Sequence, residues 1–132
     1  GLGDIFTVRT AGQAVDNITL ASIEYAVEHL NLPLVVVLGH DSCGAVTAAV
    51  NGGELPGQIA SLVDFIQPAV DEANAAGDEE QLLNNSIDNN VRNIVEMLAM
   101  AQPILSEKDK EGTLDLVSAR YHLDNGVVEI LG

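Results

Sequence analysis

An uninterrupted apolar run, Leu34 to Leu38, passes directly into Gly39-His40-Asp41-Ser42-Cys43-Gly44 and then into Ala45 to Val50. A run of Val and Leu without alternation predicts a strand buried on both faces, as in a parallel sheet. The six residues after it form a short loop, and the small and apolar residues beyond read as a helix. A strand, loop and helix in this order commit the chain to an α/β architecture. In open sheets of this kind, ligands bind just beyond the carboxyl ends of the strands. The loop at residues 39–44 is therefore the first place to look for chemistry.

The remaining segments extend that pattern. Ile5 to Arg9 is rich in β-formers and predicts a strand, followed by a loop from Thr10 to Asp16. A helix is expected to run on to Leu30, with Asn17 or Thr19 as N-cap and Ile23, Ala26, Val27 and Leu30 as its buried face. Asn51 to Gly57 is a Gly- and Pro-containing loop. Ile59 to Ala75 reads as a helix that Pro68 kinks or interrupts. Glu79 to about Ala101 reads as a long helix with Val91, Ile94, Val95 and Leu98 as its stripe and Met97 at its margin. Leu114 to Leu123 and Val127 to Leu131 are expected strands. Asp124-Asn125-Gly126 between them is a hairpin signal, because Asn and Gly tolerate positive φ. No repeat, low-complexity tract or second domain is visible. The expected fold is a single α/β domain over residues 1–132. Its sheet is central and mostly parallel, flanked by helices, with a C-terminal antiparallel hairpin.

Composition narrows the function. Apolar residues make up 47% of the 132 residues and aromatics only 3%, so the core is built from Val, Leu, Ile and Ala. Twenty acidic residues against 5 basic ones give a net charge of −15 at pH 7. Such a balance excludes a nucleic-acid partner, which requires clustered cations, and an anionic membrane surface. No apolar run reaches the length of a membrane span. Cys43 is the only cysteine, so no intramolecular disulfide can form; a reducing, cytoplasmic setting is expected.

His40 and Cys43, three apart in the loop, are the candidate metal ligands, because imidazole and thiolate are the side chains zinc prefers. The positive N-terminal end of the helix starting near Gly44 favours negative charge on Cys43. Against this stands the plain reading of a packed cysteine and a hydrogen-bonded histidine. Zinc needs four ligands, or three and an open position. The chain offers no second Cys, and neither His29 nor His122 has a spacing that points to a site. Asp41 could ligate, orient a neighbour or face solvent. Arg9, at the end of the first expected strand, lies at the same sheet edge as the loop. It could hold an anion through its planar fork, or pair with a carboxylate. Arg120 and Tyr121 are neighbours on a strand and point to opposite faces. Gly12, Gly39 and Gly44 flank the site, where glycine permits close backbone approach or positive φ. There is no phosphate loop, dinucleotide fingerprint or nucleophile elbow.

Taken in order, several stretches resemble the β-class carbonic anhydrases. Gly3 to Gln13 is similar to the segment after that family's first zinc loop. Ser22 to Val27 is similar to its next helix, and Val36 to Val46 to its second zinc loop. Asn90 to Val95 resembles its long helix; Leu114 to Leu123 and Gly126 to Val128 resemble its closing strands. The resemblance implies Zn(2+) as cofactor, with His40 and Cys43 as ligands. It implies an anion pocket at Arg9 and Gly44, and CO2 and bicarbonate as substrate and product of a reversible hydration. It further implies a homodimer or a higher assembly of dimers. The family's Cys-x-Asp-x-Arg motif, which supplies another ligand and an Asp-Arg dyad, has no counterpart in residues 1–132. No catalytic residue is therefore assigned within the chain, and an upstream segment of the subunit is expected. Two other readings stay open. One is a catalytically inactive homologue or fragment with an incomplete zinc site, acting as an oligomeric binding or structural protein. The other is a thiol-dependent protein using Cys43 as nucleophile.

Overall fold

The computed structural model describes residues 1–132. Five α-helices and three strands follow one another: α1 (Asn17–His29), β1 (Leu34–His40), α2 (Gly44–Asn51), α3 (Ile59–Ala76), α4 (Leu82–Met100), α5 (Ile104–Lys110), β2 (Asp115–Tyr121) and β3 (Val128–Leu131). Single 3-10 turns stand at Ala11–Gln13 and Glu79–Gln81. The sheet order is β1-β2-β3. β1 and β2 run parallel, with Val37 opposite Ser118 and His40 opposite Tyr121. β2 and β3 run antiparallel, with Ser118 opposite Leu131. The α/β class and the C-terminal antiparallel pair are as the residue pattern predicts. No helix is long and apolar enough to cross a membrane.

Strand alternation assigns the two faces of the sheet. One face is packed. Val37, Leu131 and Leu114 join Val27 of α1, Val91, Ile94 and Leu98 of α4, and Leu105 of α5 in one buried cluster. The expected α4 stripe is therefore real. Gly39 belongs to this face too: a Cβ there would meet Val91 Cγ2 at 2.6 Å, so glycine lets β1 and α4 approach closely. A second cluster joins Cys43, Val46 and Ala49 around α2 to Ile66 and Val70 of α3 and Ile87 of α4.

The other face corrects the expectation that Leu34–Leu38 is buried on both sides. Leu34, Val36 and Leu38 are exposed, Val36 at 45%, and so are Val128 and Ile130 on β3, the latter at 65%. No element of residues 1–132 covers them. A related correction concerns Ile5 to Arg9, which forms no strand. A strand exists through the hydrogen bonds of its neighbour, and no neighbour lies beside this segment, so Ile5, Phe6 and Val8 stay exposed.

Smaller differences have local causes. The cap of α1 is Asp16, whose carboxylate accepts from the Thr19 amide at 2.8 Å, not Asn17 or Thr19. Ala26 and Val27 are buried as expected, but Leu30, just past the helix end, is exposed. α3 continues through Pro68. Helix α5 carried no sequence expectation; its seven residues are too few for a clear period.

Candidate functional site

β1 ends on His40, and α2 begins immediately after Cys43, its N-cap residue. The turn between them includes Ser42 in the left-handed region, at φ 56°. Cys43 is buried within the α2/α3 cluster, and its carbonyl accepts from the amide and hydroxyl of Thr47. His40 is half-buried. Its Nδ1 lies 2.9 Å from the carbonyl oxygen of Asp41. A carbonyl can only accept, so Nδ1 carries the proton and Nε2 keeps the lone pair. Metal-binding imidazoles are commonly oriented in this way.

His40 and Cys43 line an open depression of about 400 Å³ together with Arg9, Thr10, Ala11, Gly12, Gly44 and Ala45. The four candidate residues named from sequence therefore meet in one place, although Arg9 arrives on an irregular segment. Arg9 takes part in none of the chain's ion pairs. The loop that carries it over the site is fixed from below. Gly12, at φ 61°, sits so close to α3 that a Cβ would meet Ile66 Cδ1 at 2.6 Å, and its carbonyl accepts from the buried Asn90 Nδ2 at 2.8 Å. Gly44 differs from Gly12. A Cβ there would touch nothing within 4 Å, so its contribution is open space at the rim of the depression.

The donor set fits two positions of a zinc site and no more. No further His, Cys or carboxylate of residues 1–132 groups with His40 and Cys43. The chain's one cluster of potential ligands is Asp41, His122 and Asp124, whose ligand atoms lie within 4.8 Å of one another. That cluster is already self-satisfied. His122 Nδ1 lies 3.2 Å from Asp41 Oδ2 and its Nε2 2.8 Å from Glu129 Oε2, which leaves no free nitrogen for a cation. Arg120 adds positive charge beside Asp41, with Nε 3.4 Å from Oδ1.

This network was invisible in the sequence. Arg120 Nη1 also donates to Asp88 of α4 at 3.1 Å, and Nη2 lies 4.0 Å from Glu129. Burial raises the Asp88 carboxyl above its ordinary range and outweighs the attraction of Arg120. The hydrogen bond to Glu129 raises the His122 pKa above its usual 6.5, with Asp41 adding to the effect and burial opposing it. Only pairing in β2 and β3 brings these groups together. The opposed faces expected for Arg120 and Tyr121 are observed, with Arg120 largely buried and Tyr121 exposed.

Comparison with known proteins adds a second line. The family model described as carbonic anhydrase matches residues 1–128. Carbonic anhydrase 2 of Mycobacterium tuberculosis is 43% identical over 135 residues, covering 96% of this chain and 62% of that protein. The carbonic anhydrase of Mycolicibacterium smegmatis is 42% identical, covering 98% of this chain and 64% of that protein. The chain thus spans under two thirds of the length of these relatives. Among solved structures, one of two tetrameric beta-carbonic anhydrases from Sordaria macrospora superposes with a TM-score of 0.89 at 27% identity, over 100% of this chain and 70% of that one. A Coccomyxa beta-carbonic anhydrase in complex with acetazolamide gives 0.87 at 23% identity, over 98% and 62%, a likeness of fold.

Proposed function

This chain belongs to the carbonic anhydrase family, in its β class, and from that premise we propose that its His40–Cys43 loop holds a zinc ion in an enzyme interconverting CO2 and bicarbonate. The observation that carries the reading is the His-x-x-Cys pair at the carboxyl end of a parallel strand, with the His40 proton held on Nδ1 by a carbonyl. Nε2 of His40 and the sulfur of Cys43 would be two of the ligands. The remainder would come from outside residues 1–132, since no third donor of this chain joins them. Bound zinc would act as a Lewis acid that lets water ionise near neutral pH.

The other residues have simpler tasks. CO2 is neutral and indifferent to the chain's net charge of −15. Bicarbonate is an anion and is repelled by that field, so a local cation is needed to hold it in place. Arg9, unpaired and lining the depression, supplies one. Gly44 leaves room at the rim. The balance is CO2 plus water giving bicarbonate and a proton. We further propose a cytoplasmic setting, from the lone cysteine. We also propose assembly as dimers or multiples of dimers, a contact that would cover part of the bare sheet face.

The lack of a third ligand in the chain favours one rival: an oligomeric binding or structural protein with a broken zinc site. Metal analysis of the purified full-length protein, beside stopped-flow CO2 hydration, separates the two. One zinc per subunit and rapid hydration are expected, with both lost together in Cys43→Ser. Arg9→Ala should keep its zinc and bind bicarbonate more weakly. A full-length protein without zinc, or a Cys43→Ser variant retaining it, overturns the reading.

A further inference from the structure

Asp41 lies between the two candidate ligands and is tied down at every polar group. Its amide donates to the Tyr121 carbonyl at 3.1 Å. Its carbonyl accepts from His40 Nδ1 at 2.9 Å. Its carboxylate accepts from the Leu123 amide and from His122 Nδ1, each at 3.2 Å. The same carboxylate faces Arg120 Nε at 3.4 Å, a buried nitrogen that has no hydrogen bond of its own. Apart from His40, every partner belongs to β2 or the turn that follows it. These partners are themselves held: Arg120 by Asp88 of α4, and His122 by Glu129 of β3.

We propose that Asp41 is the positioning residue of the metal loop. Its carboxylate, gripped by Arg120, His122 and Leu123, fixes the carbonyl that orients His40 and keeps the proton on Nδ1. The lone pair of Nε2 is thereby presented in one direction, from a ring that lines the same depression as Cys43. The inference rests on the reading of His40 and Cys43 as zinc ligands. The backbone bond from the Asp41 amide to Tyr121 and the buried Cys43 hold the two ends of the turn; between them Ser42 is exposed and left-handed, so the Asp41 carboxylate is the one side-chain anchor there. With the carboxylate removed, the peptide after Asp41 is free to turn away. His40 then loses its acceptor, and its proton redistributes between the two nitrogens. Loss of such an outer partner weakens metal binding by about 10–100-fold in known sites.

The test uses the full-length protein. Zinc affinity is measured by chelator competition, and the cobalt-substituted protein supplies the visible spectrum of the site. Asp41→Ala should bind zinc about 10–100-fold more weakly and show altered cobalt bands. Asp41→Asn keeps an acceptor for the Leu123 amide but loses the charge facing Arg120. It should show a smaller loss in the same direction, and it decides the matter if Asp41→Ala does not fold. Asp16→Ala, which uncaps α1 away from the site, controls for general loss of stability and should leave affinity and spectrum as in the wild type. Asp41 variants with wild-type zinc affinity and cobalt spectrum overturn the positioning role while leaving the zinc reading intact. A wild-type protein that binds no zinc overturns the zinc reading, and the positioning role with it.

Discussion

Asn90 shows how much of the site depends on one side chain with no part in the chemistry. It sits on α4, buried, and its Nδ2 donates to the Gly12 carbonyl 78 positions away in sequence. Truncation would strand that buried carbonyl and loosen the loop that carries Arg9 to His40. Leaving a buried acceptor unpaired costs about 1–3 kcal/mol. Asn90→Ala is therefore expected to lower unfolding stability by about that amount in urea titration, and to weaken the bicarbonate binding proposed for Arg9. Wild-type stability would remove the anchor. Residue identity was legible where it has a local cause. Gly12 was singled out for close approach or positive φ and shows both; Gly44 was grouped with it and shows neither. The distinction lies in what packs above each glycine, which is tertiary information.

At the scale of elements, the hairpin end of the sheet grips the loop between His40 and Cys43 through Asp41. β2 and β3 were readable from β-formers and turn residues, and the hairpin does turn at Gly126, at φ 73°. The observed strands end earlier than expected, at Tyr121, and resume at Val128. That leaves His122 and Leu123 in the turn, free to reach Asp41. His122 adds a pH dependence with a definite sign. Its pKa is raised in the folded state by Glu129 and Asp41, so the folded state binds the proton more tightly than the unfolded chain. The resulting stability is fully present below the ordinary value near 6.5 and is lost as pH rises through the raised folded value. Arg120, the positive neighbour, reduces the shift without reversing it. Thermal melts of wild type and His122→Gln across this range should show the wild type ahead at acid pH and the gap closing as pH rises. A gap independent of pH would sink this assignment.

The whole molecule has one packed sheet face and one bare one. Leu34, Val36, Leu38, Val128 and Ile130 form the bare apolar surface, and β1 has no strand partner on its outer edge. Long apolar edges recruit other chains. Residues 1–132 produced alone are expected to self-associate in light scattering, and Val36→Lys to reduce this; a strictly monomeric chain would contradict the role given to this face. The sequence by itself determined the α/β class, the core stripe of α4, the closing strand pair and the placing of His40 and Cys43 in one loop between a strand and a helix. Each of these is written in short-range periodicity or spacing, which a local reading can detect. Only the tertiary structure decided that the Leu34–Leu38 run is covered on one side, that Ile5–Arg9 stays unpaired, and that Asp41 is held by Arg120 and His122. Those outcomes depend on which distant segments lie alongside, and a partner 81 residues away leaves no trace in the local pattern of hydrophobicity and charge.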